Sequence, residues 1–327
     1  MADWNEKMLD EELEAIMNDV PEQEDLEKKI NQIINRRIRK AVMRTLSVIT
    51  IVVLVLVLGI SPLMNASFWN PYKMNKDGEL LEVMGNYIEM NHPWNELVMI
   101  DVEKKGFARY EVEMQISDHT ESLYIGVPNV KCTVKAGNYI DISDPSGMMA
   151  MHVGRFDAID WGGTDGMIQD IEELPESAWL YLDLSSKDEK TIEHIQNAEV
   201  CVEWIQVHQP KAEFQGGIRL STAVSDPDAA PWTMSGEELL ELYLEKLESL
   251  LEHPEAWKKL QLCDGRNSVY VQGLEVLRDT YESAKELETV TTKNYCISGQ
   301  RDEVLEYLKT NEFTDIRIEK VKLSIHE

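Results

Sequence analysis

Apolar and polar positions divide this chain into three stretches. Residues 45–64 carry no charged side chain, and within 48–58 every residue except Thr50 is Val, Ile or Leu. Twenty residues of helix rise about 30 Å, the thickness of a bilayer's hydrocarbon. β-Branched residues weaken a helix in water, but in lipid every backbone group must be bonded within the segment. The pattern predicts one transmembrane helix over 45–64.

Before the span, Leu9, Leu13, Ile16, Met17 and Val20 recur at helical spacing with acids on the opposite face, and Pro21 marks a break. A second stripe, Leu26, Ile30, Ile33, Ile34 and Ile38, runs toward the span. Forty-four residues of this kind build no core of their own, so the apolar stripes call for a partner.

After the span, residues 65–107 are mixed, with Asn, Gly and Pro turns, and residues from about 97 to 160 read as β-rich. Trp69, Trp94 and Phe68 are candidate anchors at the membrane interface. From Ala108 the period becomes two: Ala108, Tyr110, Val112, Met114 and Ile116 alternate with polar residues. Residues 123–127, 130–134 and 139–142 read as further strands, and 157–170 as a Gly/Asp-rich linker whose acids do not fit a calcium loop. Further on, strands are expected over 179–184, 200–207, 290–297 and 316–325. Helices are expected from the capping boxes Ser186-Lys187-Asp188-Glu189 and Ser235-Gly236-Glu237-Glu238, around 254–260 and 269–287, and over 301–309. The expected fold is α+β: a single transmembrane helix, a β-rich region over 65–174, and an outer domain over 175–327 built as a βαβ-type α/β sandwich.

Charge gives these segments a direction. The 327 residues carry a net charge of −28, distributed unevenly. Residues 1–27 hold eleven acids and one base, and residues 28–44 hold seven bases and no acid. Residues 65–327 hold 24 bases and 49 acids. So acidic a chain is not built for sequence-independent nucleic-acid binding, which needs Lys and Arg against phosphate. The basic run before the span, against only Lys73 and Lys76 just after it, predicts a cytoplasmic N-terminus and an extracytoplasmic C-terminal segment in the cell membrane. The long acidic stretch ahead of the span is unlike the short basic start of a secretory signal, so an uncleaved anchor is expected. The basic stretch suits anionic lipid at the inner leaflet. The acidic helix is repelled there and suits a basic protein surface, such as one that otherwise binds DNA.

The sequence offers little chemistry. It contains no G-x-S-x-G, Walker A, H-E-x-x-H or G-x-G-x-x-G motif, and none of its seven histidines pair at i, i+4. The histidines read as surface or capping residues. Cys132, Cys201, Cys263 and Cys296 form no C-x-x-C; Cys201 and Cys296, inside expected strands, read as buried thiols. No catalytic residue, metal or cofactor is expected.

Two stretches carry a further pattern. The first covers about residues 27–70. There Glu27-Lys28-Lys29-Ile30 leads to Arg36-Arg37-Ile38-Arg39-Lys40-Ala41 and the apolar span. The second covers about residues 175–325. It comprises the strand Ala178-Trp179-Leu180-Tyr181-Leu182-Asp183-Leu184, the tryptophan-centred strand Val202-Glu203-Trp204-Ile205-Gln206-Val207, and the turn Gln215-Gly216-Gly217-Ile218. It closes with the strand ending Tyr295-Cys296-Ile297-Ser298-Gly299 and the helix starting at Arg301. Both stretches resemble the sigma factor regulator family, membrane-anchored anti-sigma factors of Gram-positive bacteria with paired N- and C-terminal family domains. The turn departs from the family's G-F-P pattern: its aromatic stands at Phe214 and its proline is missing.

The resemblance implies sequestration of an extracytoplasmic-function sigma factor at the membrane, with an outer domain that senses an envelope ligand or partner protein. The arm, 1–44, carries no zinc-binding His/Cys set. From the pattern itself, Leu9, Leu13, Ile16 and Met17 are expected as partner-binding anchors, with Asp10, Glu11, Glu12 and Glu14 as steering charges. The competing readings are a membrane-anchored sensor or accessory subunit that binds no sigma factor, and an anchored envelope enzyme.

Overall fold

The computed structural model describes residues 23–118, 129–136, 140–142, 163–196, 200–220, 234–263 and 272–323. The chain divides into two compact units, Met1–Met64 and Asn65–Glu327. It mixes helix and sheet, and among the described residues one helix, near the N-terminus, is long and apolar enough to cross a membrane.

In the first unit, helix α1 (Gln23–Val55) runs unbroken from the basic stretch into the uncharged one. The apolar residues from Val48 to Val57 expose about half of their surface or more, apart from Leu56 and Leu54, which lie slightly lower. Such a surface needs an apolar surrounding. Its few polar side chains are satisfied locally: the hydroxyls of Thr45, Ser47 and Thr50 donate to the carbonyls four residues back at 3.1, 2.8 and 2.8 Å. A π-turn, Leu56–Ile60, then leads to α2 (Ser61–Ser67). Ser61 N–H donates to Leu56 O, five residues back. The cause lies one residue on. Pro62 has no N–H to give, and its ring would collide with the carbonyl of Leu58 in an ordinary α-turn; a widened turn relieves both.

In the second unit, residues 65–107, expected to be mixed with turns and to become β-rich from about 97, are mostly helix up to 91 and strand from 95. Helix α3 (Pro71–Asp77) starts with Asn70 accepting from Lys73 N–H and has Pro at its first position. Helix α4 (Glu79–Asn91) buries Leu80, Val83, Met84, Tyr87 and Ile88, a 3.6-period stripe. Strand β1 (Asn95–Gly106) follows. It pairs antiparallel with β2 (Arg109–Asp118), which pairs with β3 (Asn129–Val134), which pairs with β4 (Ile140–Ile142). In β2 the expected alternation holds, with Tyr110, Val112, Met114 and Ile116 buried. Residues 123–127 lie outside the described residues.

The β1–β2 turn is unusual. Gly106 pairs with Arg109, leaving Phe107 and Ala108 as a two-residue loop with φ of 52° and 51°. Positive φ at both central positions is the type I′ pattern, which favours Asn-Gly. An L-residue there costs about 1–2 kcal/mol. Part of this is offset by Asn65, whose Oδ1 accepts from Ala108 N–H at 2.8 Å and lies 3.4 Å from Tyr110 Oη.

Part of the expected Gly/Asp-rich linker is instead helix α5 (Gly163–Glu172), with Ile171 buried; residues 157–162 lie outside the described residues. The second sheet then forms from β5 (Ala178–Thr191), β6 (Cys201–Gln206), β7 (Gly217–Arg219), β8 (Thr291–Gln300) and β9 (Phe313–Leu323), in the order β7-β6-β8-β5-β9. Every neighbouring pair is antiparallel. The two βαβ units are therefore of the split kind. β5 and β6 run parallel with β8 between them, joined through helix α6 (Ile192–Gln196); β8 and β9 run parallel with β5 between them, joined through α10 (Arg301–Thr310). This is the β-α-β-β-α-β order of ferredoxin-like sheets. Tyr307 of α10 meets Tyr295 of β8 hydroxyl to hydroxyl at 2.8 Å, so α10 packs on the sheet face that carries Tyr295. Between β7 and β8 come α7 (Gly236–Glu252), α8 (Pro254–Cys263) and α9 (Leu274–Lys285). The capping box at Ser235 and Glu238 is present as expected.

The capping box expected at Ser186 is absent, because β5 continues through it. Ser186 is buried and its hydroxyl bonds Tyr295 Oη at 3.1 Å, while Lys187 N–H donates to the carbonyl of Glu312, just before β9. Cross-strand bonds outcompete the local cap, and the helix waits until Ile192, where Ile192 and Ile195 turn inward as expected. Residues 65–174 and 175–327, expected as separate segments, fall in one compact unit.

Candidate functional site

The residues expected to anchor a partner, Leu9, Leu13, Ile16 and Met17, and the steering acids Asp10, Glu11, Glu12 and Glu14, lie outside the described residues. The basic stretch beside them is described. Arg36, Arg39, Lys40 and Arg44 fall three and four residues apart on α1 and share a face with Met43, Ser47 and Val48. Ile34 and Ile38 are exposed, whereas Ile33 is buried. The same helix thus carries a positive face and apolar positions that water does not satisfy.

In the second unit, Tyr181 and Asp183 of β5, Trp204 of β6 and Cys296 of β8, from the strands quoted for the resemblance, meet on the sheet face away from α10. Along β5, Leu180, Leu182 and Leu184 point to the helical face, and Tyr181 and Asp183 to the other. Trp94, from the α4–β1 junction, lies over that other face. Its ring meets Tyr181 edge-on at 5.6 Å, and its Nε1 donates to Asp183 Oδ1 at 2.7 Å. Cys296 Sγ donates to the same oxygen at 3.1 Å. Trp204 Nε1 donates to Glu89 O at 2.8 Å, back on α4. Trp94 is therefore a core residue and not an interfacial anchor.

Trp204 also explains the glycine turn. Gly217 sits across from Gln206, and a Cβ there would run into the Trp204 ring and Ile205 O; at Gly216 a Cβ would meet Met90 Cε at 2.7 Å. Gly217 leaves room for the Trp204 indole, and Gly216 leaves room for Met90 and the Phe214 ring. Next to them is Arg219, paired in register with Trp204 and 1% exposed. Its Nη2 donates to Pro93 O at 3.2 Å and to Asn95 O, and its backbone N–H donates to Glu89 Oε1 at 3.1 Å. Burial pulls the guanidinium below its ordinary range, while Glu89 and Glu96 pull it back. Glu89 is held in turn by Lys246 of α7 at 3.0 Å. One buried network therefore ties α4, β1, α7 and the sheet together.

Burial, then the adjacent Asp183, pushes the Cys296 thiol well above its ordinary range. It stays protonated and is a poor nucleophile. Cys132 and Cys296 are buried and Cys201 is half-buried, and all three are free thiols. His92 is the C-cap of α4, one of the two roles expected for the histidines, and is fully buried against Tyr87. Among the described residues no group of three or more His, Cys, Asp or Glu side chains is arranged to hold a metal ion.

Sequence reasoning quoted Trp204, Gly216 and Gly217 but missed Arg219, Glu89 and the role of Trp94. A lone Arg in a three-residue strand and a Trp before a hairpin leave no periodic signal; only the fold brings them together. No family model, curated protein or solved structure matches this chain.

Proposed function

We propose that this protein is a single-pass membrane anti-sigma factor. Residues 1–44 lie in the cytoplasm and hold an extracytoplasmic-function sigma factor away from RNA polymerase. Residues 65–327, a β-rich part followed by a two-layer α/β part, lie outside and respond to an envelope ligand or partner protein. The observation that carries the reading is the arm itself. Eleven acids are interleaved with Leu9, Leu13, Ile16 and Met17 at helical spacing, and are followed by seven bases and an uncharged span. An acidic amphipathic segment tethered beside an anionic leaflet is repelled by lipid and is fitted to a basic, DNA-competing protein surface. The bases set the orientation by the positive-inside rule. No contact with nucleic acid is part of this reading, and neither is a cofactor.

The test is capture. Residues 1–44 are used as bait for each extracytoplasmic-function sigma factor encoded in the same genome, beside a Leu13→Asp, Ile16→Asp control. Retention of one sigma factor by the wild-type arm, lost in the control, is the expected result. Retention of none by an intact, soluble arm overturns the reading in favour of an accessory subunit that binds no sigma factor.

A further inference from the structure

We infer that the β1–β2 hairpin tip is a second membrane contact, with Phe107 seated in the outer-leaflet interface. Three observations converge on it. First, the tip is tied to the point where the chain leaves the span. The uncharged run ends at Met64, and the next residue, Asn65, binds Ala108 N–H at 2.8 Å, so Phe107 is one residue from a group held by the first residue after the span. Asn70 Nδ2 reaches back to Asn65 O at 3.4 Å, which fixes the segment between them. Whatever direction the outer unit takes, this turn cannot leave the neighbourhood of the bilayer surface.

Second, the turn holds the wrong residue for its backbone. Its φ values favour Asn-Gly, yet it holds Phe107 and Ala108. Ala108 is buried, but Phe107 exposes 43% of its surface. An aromatic ring kept in left-handed backbone with over two-fifths of its surface exposed is a poor solution for a turn in water. It is a good one for a turn that meets headgroups and the tops of acyl chains, where aromatic side chains are favoured.

Third, the surroundings carry the matching charge and shape. Phe68 and Tyr72 are exposed close by in sequence, and Lys104 Nζ lies 3.9 Å from the centre of the Tyr72 ring, which brings α3 beside the hairpin. Lys73 and Lys76 lie on the same short helix, Lys73 exposed and Lys76 at its C-terminal end. These bases and aromatics gather in a segment that elsewhere has twice as many acids as bases. Lysines beside exposed rings fit a phosphate layer over hydrocarbon. The inference rests on the reading of residues 45–64 as a span, and the contact would hold the outer unit at a defined height above the leaflet.

The test uses the full chain in vesicles of phosphatidylcholine and phosphatidylglycerol in equal amounts, with p-benzoylphenylalanine placed singly at Leu63, Phe107 or Met99. Met99 is also exposed, but lies about 25 Å along β1 from the tip. Photolysis is expected to give lipid adducts at 63 and 107 and none at 99. Adducts at 63 alone overturn the inference and leave the span standing. Adducts at none of the three overturn the span and the inference with it, and adducts at all three overturn a tip-specific contact. A Phe107→Asn, Ala108→Gly variant provides the second measurement. Its melting temperature is expected to be equal or higher, because the turn is relaxed, while amide exchange over residues 104–110 loses the protection that vesicles give relative to detergent. A lower melting temperature with vesicle protection unchanged would make Phe107 a folding residue and overturn the inference.

Discussion

The Trp94–Asp183 bond should be worth more than the Trp204–Glu89 bond, although the two indoles are alike and almost equally buried. Trp94 donates at 2.7 Å to a carboxylate, and Trp204 at 2.8 Å to a backbone carbonyl. Replacing either by Phe removes a similar area of ring, about 1 kcal/mol of burial. The lost bond adds about 1.5–3 kcal/mol where the acceptor is charged and about 0.5–1.5 kcal/mol where it is neutral. Summing burial and bond, Trp94→Phe should cost about 2.5–4 kcal/mol and Trp204→Phe about 1.5–2.5 kcal/mol. The assay is urea unfolding of the full chain in detergent, followed by near-ultraviolet circular dichroism, which reports the buried rings. In an Asp183→Asn background the acceptor stays but its charge goes, so the cost of Trp94→Phe should fall by about 1 kcal/mol. Equal costs for the two tryptophans, with no change in the Asp183→Asn background, would refute the claim that a buried charge organises this face.

Other predictions follow from the same geometry. Ser235→Ala removes the hydroxyl that accepts Glu238 N–H at 3.2 Å, and should cost about 1 kcal/mol in the same urea assay. Gly217→Ala should cost about 1–3 kcal/mol, and a Trp204→Leu partner substitution should recover part of it, because the added methyl collides with that ring. Stability should fall with alkali. Burial raises the Cys296 thiol and the Tyr243, Tyr295 and Tyr307 phenols above their ordinary values of 9.0 and 10.0. The native state then keeps protons that the unfolded chain gives up. This contribution is full below about pH 8 and is lost as pH rises from the unfolded values through the folded ones. Cys296→Ala should flatten the first part of that decline in melting temperature between about pH 8 and 10, and an unchanged profile would contradict it.

The parts legible in the sequence were those written as period or punctuation. The uncharged run, the alternation in β2, the Ser235 capping box and the helix beginning at Arg301 each follow from local rules, and each appears. The stripe Leu80, Val83, Met84, Tyr87, Ile88 is equally periodic, yet it lies among Asn, Gly and Pro residues that read as turns. At Ser186 a local signal was real but lost to partners more than a hundred residues away, Tyr295 and Glu312. The interleaving of β8 between β5 and β6 could not be read from their order, because it depends on which edge each hairpin joins. The face that carries Trp94, Asp183, Cys296 and Arg219 was invisible for the same reason. Its members come from three strands and a turn, and the fold alone brings them together.

The most direct test of the central claim is sedimentation of purified extracytoplasmic-function sigma factors from the same genome with vesicles carrying the full chain. The account predicts that one sigma factor sediments with the vesicles and is released when Leu13→Asp and Ile16→Asp are introduced together. It also predicts that binding weakens as salt is raised, because the acids of residues 1–27 steer the encounter. Sedimentation of none, with the arm accessible to protease on the vesicle exterior, would contradict it.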